Sequence, residues 1–184
     1  MISKRNIPSI TISSLTFCLL ILLTLTGCGE SESGEANGDA PDIEKEISDA
    51  RVKELINKSS RPYVLVNFFA TWCKPCKEEI PDLVALQEDP ESKVEVLLIS
   101  IDDPEDVDSK LGPFLGGLGV SFKSYSRSEG ENWFIKQFYE DWGQSIPLTL
   151  IYEKGGDRIS AIEGLTDRSE IELLINKHQK LGSS

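Results

Sequence analysis

Beyond residue 42 the apolar positions alternate between a strand-like and a helix-like spacing. From Ile43 to Lys58 they recur near one face (Ile43, Ile47, Ala50, Leu55, Ile56), which predicts a helix. Tyr63 to Phe69 and Val94 to Ile101 are short, near-continuous apolar runs, the pattern of central strands buried on both sides. Between them, Lys74 to Glu88 reads as a helix with Ile80, Leu83, Val84 and Leu86 toward the sheet. Pro81 should bend it, because the ring removes one backbone donor. Asp102 to Asp108 forms an acidic cap region, and Val107 to Leu118 predicts a short helix ended by Gly116, Gly117 and Gly119. A strand over Val120 to Tyr125 and a helix over Glu131 to Trp142 follow. Trp133, Phe134, Phe138 and Trp142 of that helix point partly inward, as core aromatics, with a binding patch as the alternative. Tyr152 to Arg158 is a hairpin turn in which Gly155 and Gly156 supply positive φ. Ile159 to Ile162 returns as a strand ending at Gly164. Thr166 to Glu170 starts a last helix with an approximate capping box. It runs to about Leu181, with Ile171, Leu174, Ile175 and the chain's one histidine, His178, available to one face.

Residues 1–27 follow a different pattern. Lys4 and Arg5 precede the uncharged apolar run Ile10 to Leu25, and small residues follow, as in an export signal. The alternative is an uncleaved membrane anchor, for which the run falls short of the ~20 residues a span needs. Both place the rest of the chain outside the cytoplasm. Leu25-Thr26-Gly27-Cys28 resembles a bacterial lipobox, which implies cleavage before Cys28 and lipidation of its thiol, a firm anchor when several acyl chains act together. Cys18 leaves with the signal and is given no role. Gly29 to Asp42 has no large apolar residue and is expected to be disordered. The chain thus divides into a signal (1–27), a lipidated Cys and acidic linker (28–42) spanning about 20 Å, and one domain (43–182).

Charge narrows the partners. The chain carries 19 basic and 31 acidic residues, a net charge of −12. Removing residues 1–27 takes away Lys4 and Arg5 and leaves 17 against 31, or −14. That balance excludes nucleic acid as a partner class and is compatible with basic proteins.

The candidate chemistry lies where the first apolar strand runs into Trp72-Cys73-Lys74-Pro75-Cys76 and a helix begins. Cys73 falls at a helix N-terminus, where unpaired N–H groups and the dipole favour a thiolate, the species that attacks disulfides. Half of a zinc site and a purely structural disulfide are the competing readings. Zinc lacks ligands, since Cys18 and Cys28 lie far away and His178 stands alone. Nothing in a chain of this size requires a staple around so short a loop.

The block Val66-Asn67-Phe68-Phe69-Ala70-Thr71-Trp72-Cys73-Lys74-Pro75-Cys76-Lys77-Glu78-Glu79-Ile80-Pro81 resembles the active site of membrane-anchored thioredoxin-like reductases of the TlpA and ResA type. Asn67 stands where thioredoxin has a buried Asp, and Glu79 and Pro81 match that subgroup's acidic and helix-kinking residues. The resemblance covers most of residues 60–182. It implies a thioredoxin-like α/β fold with a central mixed β-sheet flanked by helices. It also implies a cis bond at Ile146-Pro147, turning the Ile146 backbone toward the sulfurs to pair with an extended substrate.

The mechanism so implied is protein-disulfide reduction. Cys73 is the exposed nucleophile of lowered pKa, Cys76 the deeper resolving thiol, and Glu79 the carrier of protons around Cys76. Lys74 and Lys77 would add positive charge beside the thiolate. Trp72, Lys74, Pro75, Ile146 and Pro147 would contact the substrate. No cofactor beyond the redox-active Cys73–Cys76 disulfide, and no metal, is expected. Partners would be disulfide-containing extracytoplasmic proteins and a membrane electron donor, with cytochrome c maturation the commonest task of the family. Two other classes stay open. One is a Sco-like copper chaperone, although that family spaces its cysteines by three residues and adds a downstream His. The other is a non-catalytic binding lipoprotein using the aromatic stretch 133–142.

Overall fold

The computed structural model describes residues 41–127 and 130–182. The expected export signal, the lipidated Cys28 and most of the expected linker lie outside them. Six strands form one mixed sheet: β1 (Ile43–Ile47), β2 (Tyr63–Phe69), β3 (Val94–Ser100), β4 (Ser124–Arg127), β5 (Leu148–Glu153) and β6 (Arg158–Glu163). Their order across the sheet is β1-β4-β3-β2-β5-β6. The pairs from β1 to β2 are parallel, and β5 runs antiparallel to both β2 and β6. The helices are α1 (Asp49–Lys58), α2 (Lys74–Glu88), α3 (Pro104–Asp106), α4 (Gly112–Gly117), α5 (Glu131–Lys136) and α6 (Arg168–Gly182), with a π-helical turn at Val107–Leu111 joining α3 to α4. This is the thioredoxin-like arrangement that the sequence led us to expect.

β2 is buried along its whole length because it pairs on both edges and is covered on both faces. Seven buried residues in a row explain why it reads as a continuous apolar run. Phe68 projects into a cluster with Phe134 and Phe138, the ring centroids lying 6.2 and 5.7 Å away. Burying one such ring is worth about 2–3 kcal/mol. On α2, the expected inward residues Ile80, Leu83, Val84 and Leu86 are all buried. Pro81 lies inside that helix on its exposed side.

Four expectations need correction. The predicted helix over 43–58 is two elements. Ile43–Ile47 pairs with β4 as an edge strand, and Ser48 then caps α1, its Oγ accepting the Arg51 N–H at 3.2 Å. The i, i+4 spacing of Ile43 and Ile47 suits either structure, and Ser48 was the boundary signal. The linker also ends earlier than Asp42: Pro41 is buried and the Asp42 carbonyl accepts the Ser124 N–H at 2.9 Å. The strand expected at 120–125 begins only at Ser124, because Val120 is still closing α4 through the Leu115 carbonyl. The helix expected to reach Trp142 stops at Lys136. Phe134, Phe138 and Trp142 are buried, whereas Trp133 is 53% exposed.

At the C-terminus, Asp167 rather than Thr166 caps α6, its carboxylate accepting the Glu170 N–H at 2.9 Å. The Thr166 hydroxyl instead donates to the Glu170 carboxylate at 2.7 Å. His178 is half-buried on α6, 3.3 Å from Glu153 and edge-on to Tyr63. Among the described residues no helix is long and apolar enough to cross a membrane.

Candidate active site

β2 ends at Phe69, and the chain turns within four residues into α2. The turn is closed by the Cys73 N–H donating to the Ala70 carbonyl at 3.1 Å. Cys73 is the N-cap of α2, and its Sγ accepts the Cys76 backbone N–H at 3.2 Å. An N-cap takes up a helix-end N–H that would otherwise lack a partner, and here sulfur does it. Pro75 sits in the first turn, where it needs no intrahelical donor. Cys73 and Cys76 are joined as a disulfide with an S–S distance of 2.00 Å. The same N–H and helix end that face Cys73 Sγ would stabilise a thiolate once the bond is reduced.

The expectation that Cys73 is an exposed nucleophile is corrected in degree. It is only 5% exposed, against none for Cys76. The reason is the segment lying across it: the Ile146 carbonyl oxygen is 3.8 Å from Cys73 Sγ, and the Ile146–Pro147 bond is cis, as expected. Ile146 is half-buried and Pro147 buried, while Trp72 is 68% exposed, and Lys74, Pro75 and Lys77 are exposed too. Six of the expected residues thus gather about the disulfide: Trp72, Lys74, Pro75, Lys77, Ile146 and Pro147.

Glu79 lies one turn past Cys76 on the same helix face and is 1% exposed. Its Oε1 accepts from the Asn67 amide at 2.6 Å and the Thr149 hydroxyl at 3.1 Å, and its Oε2 accepts the Thr166 N–H at 2.9 Å. Burial pushes its carboxyl up to about 7 against these three hydrogen bonds, which favour the charged form, and the nearby Asp82 charge adds to the rise. Asn67 and Thr149 are direct partners across β2 and β5, so their side chains share a face.

Sequence reasoning missed several supporting groups. Thr149 and Thr166 both contact Glu79, and only the register of β5 on β2 would have singled out Thr149. Asp102, read as part of an acidic cap, is buried. It accepts from the Thr71 N–H at 3.0 Å, the Thr71 hydroxyl at 2.8 Å and the Ser100 hydroxyl at 2.7 Å, fixing the turn before Cys73. Trp142, read as core, donates its indole N–H to the Ser145 carbonyl at 2.8 Å and holds the loop carrying Ile146 and Pro147. Gly143 N–H reaches the Glu163 carboxylate at 3.2 Å at the other side of that loop. A buried acid and a buried indole each need a partner, so either could have been flagged once burial was known.

Residues 36–157 match the model of the AhpC/TSA family. A thioredoxin of Rickettsia bellii is 41% identical over 66 residues, which is 36% of this chain and 62% of that one. The thiol–disulfide oxidoreductase ResA of Bacillus cereus is 26% identical over 175 residues, covering 89% of this chain and 95% of that one. In fold, the chain is similar to a thioredoxin-related protein from Neisseria meningitidis serogroup B, with a TM-score of 0.54 at 22% identity, over 67% of this chain and 89% of that one. A disulfide at a helix N-terminus in this fold, and relatives that carry out thiol–disulfide exchange, agree: the chain belongs to the AhpC/TSA family and is a thiol–disulfide oxidoreductase.

Proposed function

We propose that the protein reduces disulfides of proteins outside the cytoplasm, of the kind handled in cytochrome c maturation. Cys73 thiolate attacks one substrate sulfur, and the other substrate sulfur leaves and is protonated. Cys76, after giving up its proton, attacks Cys73 Sγ; the substrate sulfur bonded to Cys73 leaves and is protonated in turn, and the Cys73–Cys76 disulfide forms. Two electrons have passed to the substrate, and a dithiol donor at the membrane returns them. Glu79 takes the proton that Cys76 releases. Trp72, Lys74, Pro75, Ile146 and Pro147 form the surface that meets the substrate, whose extended backbone pairs with Ile146. The active-site disulfide is its own redox group, so no further cofactor is invoked. Lipid on Cys28 tethers the folded domain through the acidic linker.

The observation that carries this reading is the Cys73–Cys76 disulfide capped by the Cys76 N–H and flanked by the Ile146 carbonyl. The test is insulin reduction by wild type and by Cys73→Ser and Cys76→Ser. Both variants should lose turnover, and only Cys76→Ser should accumulate a mixed disulfide. Reduction of an oxidised Cys-x-x-Cys-His peptide, the haem-attachment pattern of c-type cytochromes, in preference to insulin would support the maturation task; equal rates would remove it. Release of Cys28→Ser from membranes would support the lipid anchor, and its retention would refute it.

A further inference from the structure

Residues 143–145, which lead the chain to Ile146, have no buried side chain among them. Gln144 also has φ 68°, a left-handed conformation that a residue bearing a side chain seldom adopts. Burial does not fix these three residues; hydrogen bonds do. The Trp142 indole closes the loop from within, through the Ser145 carbonyl. The other fixings come from the end of β6. The Gly164 N–H donates to the Pro147 carbonyl at 2.8 Å, and the Glu163 carboxylate accepts the Gly143 N–H with both oxygens at 3.2 Å. Two consecutive residues thus grip both ends of the segment, one by backbone and one by side chain. Glu163 pairs with Leu148 across β6 and β5, which places it beside the loop. The fit at Gly143 is close. A Cβ there would meet Glu163 Oε2 at 3.0 Å, and its three nearest atoms beyond the chain neighbours would all belong to that carboxyl group. Gly143 lies outside the left-handed region, so this contact, and not its backbone conformation, is what favours glycine.

We propose that Glu163 is a positioning residue for substrate capture: its carboxylate pins Gly143 and so holds the Ile146 backbone where an extended substrate pairs with it. This rests on the reading of Ile146 as the substrate-pairing residue. The Ile146 carbonyl stands 3.8 Å from Cys73 Sγ, so a strand paired there presents its disulfide to that sulfur. A loop free to swing must be ordered when substrate arrives, and the ordering is subtracted from binding. A loop already pinned at Gly143 avoids that loss. The effect therefore falls on substrate binding rather than on electron transfer at sulfur. Glu163 is exposed at the end of an edge strand, where a side chain adds little to the stability of the fold, so the two contributions can be measured apart.

The test is steady-state insulin reduction by the full chain and by Glu163→Ala, Glu163→Gln, Gly143→Ala and the Glu163→Ala/Gly143→Ala double variant, with urea unfolding of each. Loss of one hydrogen bond to a charged acceptor should raise KM about fivefold in Glu163→Ala, with kcat little changed. Glu163→Gln keeps an acceptor oxygen and should restore most of the wild-type KM. Gly143→Ala pushes the carboxylate away and should match Glu163→Ala. The double variant should be no worse than either single one, because both remove the same contact. A lowered urea midpoint with an unmoved KM makes Glu163 a structural residue and overturns the proposal. An equal rise in KM for Glu163→Gln, which marks the charge and not the hydrogen bond, also overturns it, as does a double variant whose effects add. Trp142→Phe loosens the same loop through another bond and separates the two readings. KM raised there but not in Glu163→Ala overturns the role of Glu163 alone; KM raised in neither overturns the pairing at Ile146 as well.

Discussion

Replacing Glu79 with Gln should make the oxidised protein more stable than wild type at alkaline pH, with no such gain in acid. The folded-state carboxyl is pushed from the ordinary 4.5 up to about 7, chiefly by burial. A raised carboxyl pKa means that the folded chain holds its proton where the unfolded chain has already lost it. Stability is therefore complete below about pH 4.5, falls as pH rises through the interval, and levels off above about pH 7. At ~1.4 kcal/mol per pH unit, the whole interval amounts to about 3 kcal/mol. The Gln variant has no proton to lose, so it escapes this decline. Urea unfolding of both oxidised proteins, at steps from about pH 4 to about pH 9, gives the difference directly. Its value in acid absorbs whatever the amide costs through imperfect hydrogen bonding, and the climb above that baseline isolates the titration. A difference that stays flat across the range would refute the reasoning and return Glu79 to the ordinary carboxylate range.

Other outcomes follow from the contacts around the disulfide. Asp102→Ala leaves the Thr71 N–H and two hydroxyls without their acceptor, and should cost about 2–4 kcal/mol in urea unfolding while slowing insulin reduction. Trp142→Phe keeps the buried ring but loses the bond to the Ser145 carbonyl. It should cost about 1 kcal/mol and weaken substrate capture, read as a raised KM with kcat little changed. Trp72→Ala, at an exposed position, should change unfolding stability by less than about 0.5 kcal/mol yet still lower kcat/KM for insulin. Ser48→Ala removes the α1 cap far along the chain from the disulfide and should cost about 1 kcal/mol with activity retained.

The parts of the fold legible in the sequence were those whose signal is local. Tyr63–Phe69 is buried on both faces, so its composition alone marks a central strand; α2 shows both a helical stripe and a Cys-Lys-Pro-Cys start. The misread parts are those where pairing overrides spacing. Ile43 and Ile47 satisfy a helix as well as a strand, and only the β4 edge decides between them. In the aromatic stretch 133–142, Phe134, Phe138 and Trp142 were rightly placed inward and Trp133 was not; Trp142 lies beyond the helix, its indole serving the Ser145 carbonyl. In the site, the cysteines, Glu79 and Pro147 could be named from motifs. Thr149, Thr166 and Asp102 could not, because each acts through a partner 31 to 87 positions away.

Why those distant groups converge follows from strand direction. β2 ends beside the disulfide, so a neighbouring strand can begin there only by running the other way. β5 is that strand: Leu148 pairs with Phe68 and Thr149 with Asn67. The antiparallel register therefore carries Ile146 and Pro147 past the end of β2 onto Cys73, and sets Thr149 beside Asn67 beneath Glu79. A shift of one residue would turn Thr149 to the opposite face of the sheet. It would remove one of the three donors to Glu79 and move the Ile146 carbonyl along the sulfur at the same time. The proton-handling group and the substrate-facing backbone are thus set by a single register, which the full burial of β2 on both faces holds in place.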